Sequence, residues 1–167
     1  GTTALDYYPT ATTNPGFTYR NSSDSKTKGV ELLASGKVAE GLNWRADYTY
    51  TDVKDSLFPG MNATARYVAF ESTTPSNRGN VGADWTKGPW EADANLHYVG
   101  DFKWYDLTNG ALQPVKAYAS LSSRVGYKLD NGVTVALSGQ NLLKEQQKQT
   151  RGLQAERQML LSVSKAW

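Results

Sequence analysis

The feature that most constrains the fold of this chain is an alternation of two kinds of side chain between Leu42 and Asp55. One set is apolar or aromatic and comprises Leu42, Trp44, Ala46, Tyr48 and Tyr50. The set between them is polar or charged and comprises Asn43, Arg45, Asp47, Thr49 and Thr51. Because successive side chains of a strand point to opposite faces, the pattern predicts a β-strand with one apolar and one polar side.

The same period of two recurs along nearly the whole chain, and the connections between the predicted strands alternate between short and long. The short connections are turns at 39–41, 87–89 and 130–132. The long ones are polar segments at 52–76, 101–114 and 141–156. Strands are therefore predicted within 17–38, 42–51, 81–85, 90–98, 115–129, 133–138 and 158–164, and 5–8 would be an eighth. Short turns on one side and long loops on the other are typical of outer-membrane β-barrels.

Two positions carry specific local predictions. Asp130-Asn131-Gly132 predicts a three-residue hairpin loop that has Gly132 in a left-handed conformation and pairs Leu129 with Val133. Asn141 falls at one of the alternate positions that are otherwise apolar in its strand, although its own side chain is polar. We therefore expect its strand to have left the apolar band, or to bulge, by that position.

The composition excludes several classes of protein. A formal net charge of +2 is too small to indicate nucleic acid as a partner. There is no cysteine, so disulfides, thiolate metal sites and thiol nucleophiles are absent. The sequence has no run of about 18 apolar residues of the kind that a transmembrane helix requires. Ten tyrosines and five tryptophans suit the aromatic belts of a barrel that crosses a membrane with alternating strands.

The aromatic residues predict where the membrane boundaries lie. If strands starting at Leu42, Trp90 and Val133 run outward, one group of aromatics falls near the periplasmic boundary: Trp44, Trp85, Trp90, Tyr127 and Trp167. The other group falls near the outer boundary: Tyr48, Tyr50 and Tyr98. The alternative interpretation is a soluble β-sandwich in which these aromatics form the core.

Several short motifs, taken in order, resemble the TonB-dependent outer-membrane receptors. They cover roughly residues 17–167, and a tryptophan stands at the last position where the family usually has phenylalanine. The motifs are Lys28–Leu32, Gly41-Leu42, Tyr48–Asp52, Pro75–Arg78, Tyr98–Gly100, Gly126-Tyr127, Asn141–Leu143, Arg157 and the terminal Trp167.

The resemblance implies an all-β fold of about seven or eight antiparallel transmembrane strands, the C-terminal portion of a barrel of about 22 strands. Residues 1–167 would form one segment of that barrel, without the plug domain. The family takes up ferric siderophores or similar scarce nutrients across the bacterial outer membrane, driven by the TonB complex through the plug. The chain is thus expected to be a transporter segment in contact with outer-membrane lipid, with no enzymatic activity and no cofactor.

The resemblance also places ligand contacts in the long loops. Cations and aromatics there suit an anionic, aromatic ferric chelate. The alternative is that they are ordinary exposed loop residues. The candidates are Arg66, Tyr67, Lys103, Trp104, Tyr105, Lys148 and Arg151.

The last strand resembles the terminal signal that the barrel assembly machinery reads by adding a strand to an exposed edge. The residues that would carry this signal are Met159, Leu161, Val163 and Trp167.

Two other functions remain open from the sequence. A standalone small barrel with a structural or adhesive role would have its first and last strands hydrogen-bonded to each other. An outer-membrane lipase would need a serine and an acid beside His97, the one histidine, which is otherwise expected to be solvated in the lumen. On the same polar face, Glu91 and Asp93 could pair with Arg124 and Lys128.

Overall fold

The computed structural model describes residues 2–8, 16–57, 69–106 and 111–165, with side chains from 24 onward except 57. Its elements are strands joined by turns and loops, with one short helix. In chain order they are β1 (Thr2–Tyr8), β2 (Gly16–Ala39), β3 (Leu42–Leu57), α1 (Phe70–Thr73), β4 (Asn77–Lys87), β5 (Trp90–Val99), β6 (Phe102–Tyr105), β7 (Leu112–Val115), β8 (Tyr118–Lys128), β9 (Val133–Gln140), β10 (Gln146–Gln147), β11 (Ala155–Glu156) and β12 (Gln158–Lys165). No helix in the described ranges is long and apolar enough to cross a membrane.

Eight strands form one antiparallel sheet in the order β1-β2-β3-β4-β5-β8-β9-β12. The pairs β6–β7 and β10–β11 are separate small hairpins within the long connections. The predicted all-β, antiparallel architecture is confirmed. Within the described residues β1 and β12 lie at opposite edges of the sheet and do not pair with each other. The hydrogen bonding between first and last strands that a closed small barrel requires is therefore not found there.

The edge formed by β1 and β2 is open along most of its length. β1 pairs with the first part of β2, from Gly16 to Ser23. The remainder of β2, which carries the apolar residues Val30, Leu32 and Ala34, pairs with β3 on one side only in the described part of the chain. This edge presents backbone donors and acceptors that another strand can pair with.

The predicted two-sided character of the strands is confirmed by the register. On one face a row runs from Ala46 through Val81 and Leu96 to Leu121. One residue further along, the opposite face carries the corresponding polar row, in which the structure aligns Asp47, Asn80, His97 and Ser120.

The apolar face is uncovered. Val81 is 60% exposed and Leu161 is 68% exposed, although both lie on this face of the sheet. No second sheet of the described residues packs against it, which argues against the interior of a soluble β-sandwich. An uncovered apolar face of this kind is typical of barrel strands that contact lipid. The alternate apolar residues of six strands share this face, and they include Trp44, Tyr48, Val81, Ala92, Leu96, Leu121, Val135 and Leu161.

Aromatic residues mark both boundaries of the apolar face. Tyr48 and Tyr98 lie in one row on either side of Gly79, at the end of the sheet that carries the long connections. Near the opposite end, Trp90 and Tyr127 pack edge to face with ring centroids 4.7 Å apart. These rows match the two predicted groups of boundary aromatics. Trp167, which was predicted for the periplasmic group, lies outside the described residues.

The hairpin predicted at Asp130-Asn131-Gly132 is confirmed. The Leu129 backbone N–H donates to the Val133 carbonyl oxygen at 2.7 Å, and Gly132 has a φ of 79°. The expectation for Asn141 is also confirmed, because β9 ends at Gln140 and Asn141 adopts a left-handed φ of 53°.

The long connections differ from their predicted form. The connection expected to begin at residue 52 begins only after Leu57, because backbone pairing between β2 and β3 continues through polar side chains. The connections predicted at 101–114 and 141–156 are long polar segments, and the structure forms a two-stranded hairpin in each of these regions. Val115, predicted to begin a lipid-facing strand, instead ends β7 and is only 1% exposed.

Candidate functional site

The long connections lie at one end of the sheet, and α1 is attached there to the extension of β3. The Glu71 backbone N–H donates to Asp55 Oδ2 at 2.9 Å, and the Asp55 backbone N–H donates to Glu71 Oε2 at 3.2 Å. Lys54 Nζ donates to Glu71 Oε1 at 2.9 Å. The hydrogen bond from Lys54, with that from the Asp55 backbone, lowers the pKa of Glu71 below its ordinary 4.5. The same contact raises the pKa of Lys54 above 10.5.

The β6–β7 hairpin is joined to this helix through Tyr105. The Ala69 backbone N–H donates to the Tyr105 hydroxyl oxygen at 2.9 Å. Trp104 packs edge to face with Phe102 at a centroid distance of 6.4 Å, and Trp104 remains 38% exposed. Lys103 is exposed on the same strand. These three predicted ligand contacts therefore share one hairpin, and the Tyr105 hydroxyl takes part in organising the loops.

A cationic cleft lies between the start of β8 and the β10–β11 connection. Its volume is about 530 Å³. Four cationic side chains line it, and none of the described lining residues is acidic. The cations are Lys116, Lys144, Lys148 and Arg151. Arg151 Nη2 also lies 3.7 Å from Asp106 Oδ2, which links the cleft to the residue after β6. A cleft with this lining favours an anionic ligand.

Gln147 forms a buried part of the cleft wall. It is 2% exposed, and its Nε2 donates to the Ala119 carbonyl oxygen at 2.9 Å. Neither Gln147 Oε1 nor Arg151 Nε has a hydrogen-bond partner in the described part of the chain, and both atoms are shielded from solvent. An unpaired buried polar atom costs about 1–3 kcal/mol relative to a paired one.

The segment that carries these groups is held to the sheet by backbone and amide contacts. Asn141 Nδ2 donates to the Ala155 carbonyl oxygen at 2.8 Å, and the Leu142 backbone N–H donates to Leu121 at 3.0 Å. The Arg157 backbone N–H donates to the Glu145 carbonyl oxygen at 2.8 Å. The cleft wall is therefore positioned by the same turn at Asn141 that ends β9.

The structure brings together only part of the predicted ligand set. Lys148 and Arg151 line the cleft, whereas Lys103, Trp104 and Tyr105 lie on the hairpin outside its lining. Arg66 and Tyr67 lie outside the described residues. Sequence reasoning missed Lys116, Lys144 and Gln147 as cleft residues. Lys116 lies two residues after Pro114, and a proline at that point could have indicated that Lys116 lies outside the regular strand. No sequence pattern pointed to Gln147.

The polar face of the sheet holds a ladder of hydrogen bonds and ion pairs. Arg124 Nη1 lies 2.6 Å from Glu91 Oε1, which confirms that predicted pair. The structure forms no ion pair between Asp93 and Arg124, although they are opposite in register. Exposed pairs of this kind contribute little each.

The single histidine belongs to the same polar ladder. His97 Nδ1 lies 2.8 Å from Asn80 Oδ1, and Asn80 Nδ2 donates to Asp47 at 2.9 Å. A lipase would need a carboxylate hydrogen-bonded to His97, whereas the observed partner is the side-chain amide of Asn80. Among the described residues, no cluster of three or more His, Cys, Asp or Glu side chains could hold a metal ion.

The residues predicted to signal assembly lie on an edge strand. In β12, Met159, Leu161 and Val163 stand opposite Gly139, Leu137 and Val135 on the apolar face. Their exposed fractions are 64–68%. Trp167 lies outside the described residues.

Comparison with known proteins identifies the same architecture. The chain is similar to the ferric-pyoverdine M114 receptor PbuA of Pseudomonas sp. (strain M114), with 29% identity over 138 residues. That match spans 79% of this chain and 16% of the relative.

Two solved structures have a similar fold over 97% of this chain. The FpvAI–pyocin S2 complex matches with a TM-score of 0.65 and 15% identity, over 22% of that chain. FpvA of P. aeruginosa bound to a heterologous pyoverdine with iron matches with a TM-score of 0.63 and 13% identity, over 23% of that chain. The chain therefore spans less than a quarter of the length of these proteins. Residues 3–142 match the family described as TonB dependent receptor-like, beta-barrel, and because this match covers most of the sequence, the chain belongs to that family.

Proposed function

We propose that this chain is the C-terminal part of an outer-membrane receptor that takes up a ferric siderophore, driven by the TonB complex through a plug domain. The observation that carries the proposal is family membership together with similarity to a protein named as a ferric-pyoverdine receptor. The cationic cleft supports it, because ferric siderophores are commonly anionic and Lys and Arg side chains attract such ligands. In this proposal the apolar face contacts outer-membrane lipid, and the open edges pair with the other strands of the barrel.

The test is iron uptake by cells that express the reading frame encoding this chain. Radioactive iron supplied as ferric pyoverdine should enter these cells. It should not enter isogenic cells that lack either that reading frame or TonB. Uptake that continues unchanged without TonB would contradict the energy-coupled mechanism. Uptake that is unaffected by loss of the reading frame would contradict the receptor assignment.

We also propose that β12, with Trp167, carries the signal for the barrel assembly machinery. The support is an edge strand with unsatisfied pairing capacity and alternating apolar residues. Deleting Trp167 should then lower the outer-membrane level in cells far more than it lowers the yield of refolding into detergent. Equal losses in the two measurements would make Trp167 a boundary aromatic only.

A further inference from the structure

We infer that the cleft between Pro114–Tyr118 and Lys144–Gln154 is a subsite for a carboxylate that carries a neighbouring O–H or N–H donor. An α-hydroxycarboxylate or an acylated amino acid would supply such a group. The inference rests on the proposed function and deepens it, because it assigns a chemical class to one arm of the transported ligand.

The size and charge of the cleft favour a small anion. Its volume of about 530 Å³ lies within the range of about 300–1,000 Å³ that is typical of small-molecule sites. Lys116, Lys144 and Lys148 form no ion pair within the described residues, so their charges remain available to a carboxylate. Only Arg151 is partly neutralised, through Asp106.

The buried polar atoms define the rest of the ligand. Gln147 Oε1 is an acceptor and Arg151 Nε is a donor, and each lacks a partner in the described part of the chain. Both are shielded from bulk water and belong to residues that line the cleft, so a ligand held there can supply the missing partners after a local side-chain adjustment. A carboxylate oxygen satisfies Arg151 Nε, whereas only an O–H or N–H group satisfies Gln147 Oε1. A simple carboxylate therefore leaves one of the two atoms unpaired.

The experiment compares citrate with tricarballylate, which has the same three carboxylates but no hydroxyl group. Binding to the purified, full-length receptor in detergent is measured by calorimetry. The wild-type protein should bind citrate about three- to tenfold more tightly, the difference expected for one net hydrogen bond. Gln147→Met should remove this preference by weakening citrate alone. Lys116→Gln should weaken both probes, whereas Lys128→Gln, at the opposite end of the sheet, should weaken neither.

Equal affinity of the wild-type protein for the two probes would overturn the inference. So would an equal loss for both probes in Gln147→Met, or no loss for either in Lys116→Gln. If Gln147→Met does not fold, the wild-type preference decides alone. Citrate selectivity in a protein that carries no ferric siderophore into cells in a TonB-dependent manner would leave this subsite standing and refute the proposed function. Uptake without citrate selectivity would support the proposed function and refute the subsite.

Discussion

At the scale of single residues, Gly41 occupies a position that has no room for a Cβ atom. It lies in the turn between β2 and β3 with a φ of 74°. Its carbonyl oxygen accepts a hydrogen bond of 2.8 Å from the Thr86 backbone N–H, which brings the next turn close. A Cβ atom at Gly41 would overlap the Thr86 carbonyl oxygen. Gly88 has a similar φ of 57°, but a Cβ there would meet nothing within 4 Å.

These two glycines form a matched pair for mutation. Gly88→Ala should lower the free energy of unfolding by about 1–2 kcal/mol, the cost of a left-handed conformation for an L-residue. Gly41→Ala should lower it further, because the overlap with Thr86 adds to the same conformational cost. Urea unfolding of the receptor refolded in detergent measures both. Equal losses would mean that the close approach of Thr86 is relieved without cost.

The contact between Glu71 and Lys54 predicts how loop attachment depends on pH. The pKa of Glu71 is lowered in the folded protein, so its contribution is fully present above 4.5 and is lost as the pH falls through the lowered value. The pKa of Lys54 is raised, so its contribution persists at neutral pH and is lost only as the pH rises through a value above 10.5. The helix should therefore stay attached near pH 7 and loosen in acid.

A nitroxide label at Ser72 measures this attachment, and residues 1–167 contain no cysteine that would compete with a single Ser72→Cys site. The label should become more mobile as the pH is lowered below 4.5. In Glu71→Gln its mobility should no longer change over that range. A label whose mobility stays constant below pH 4.5 in the unmodified background would show that Glu71 does not anchor α1.

At the scale of the strand, the two faces should respond differently to charge. Ala94 lies on the apolar face of β5, midway between Trp90 and Tyr98 and opposite Ala83. Ser120 lies on the polar face of β8, opposite His97. Ala94→Arg should lower the free energy of unfolding in lipid vesicles by about 2–4 kcal/mol, the cost of arginine at a lipid-facing mid-bilayer position. Ser120→Arg should cost little, because its side chain enters a polar ladder. Similar losses for the two variants would contradict the assignment of lipid to one face.

At the scale of the whole molecule, the open edges determine how residues 1–167 should behave in isolation. The described sheet ends at β1 and β12, and unpaired backbone groups are not tolerated in lipid. The isolated chain should aggregate or associate through its edges unless other strands complete it. Light scattering after size exclusion in detergent measures this, with a closed eight-stranded barrel as the standard. A monodisperse monomer that resists heat would instead favour a small closed barrel.

The alternation of residues was sufficient to predict which residues form the apolar face of the sheet. Val81, Leu96 and Leu161 could be assigned to one face from parity alone, since a strand places every second side chain on the same side. The hairpin at Gly132 was equally predictable, because the three-residue loop keeps both faces in register. Parity failed at Val115, where the chain leaves the main sheet and its side chain becomes buried in a separate hairpin.

The sequence by itself determined which face of each strand is apolar, where the short turns occur and which family the motifs resemble. These properties depend on residues that are adjacent or a few positions apart, so they can be read from local pattern. Only the tertiary structure placed Lys116 beside Lys144 and Lys148, and left Gln147 buried with an unpaired oxygen. The reason is that loop packing depends on contacts between distant segments, such as Gln147 with Ala119 and Arg151 with Asp106, and no period in the sequence encodes such contacts.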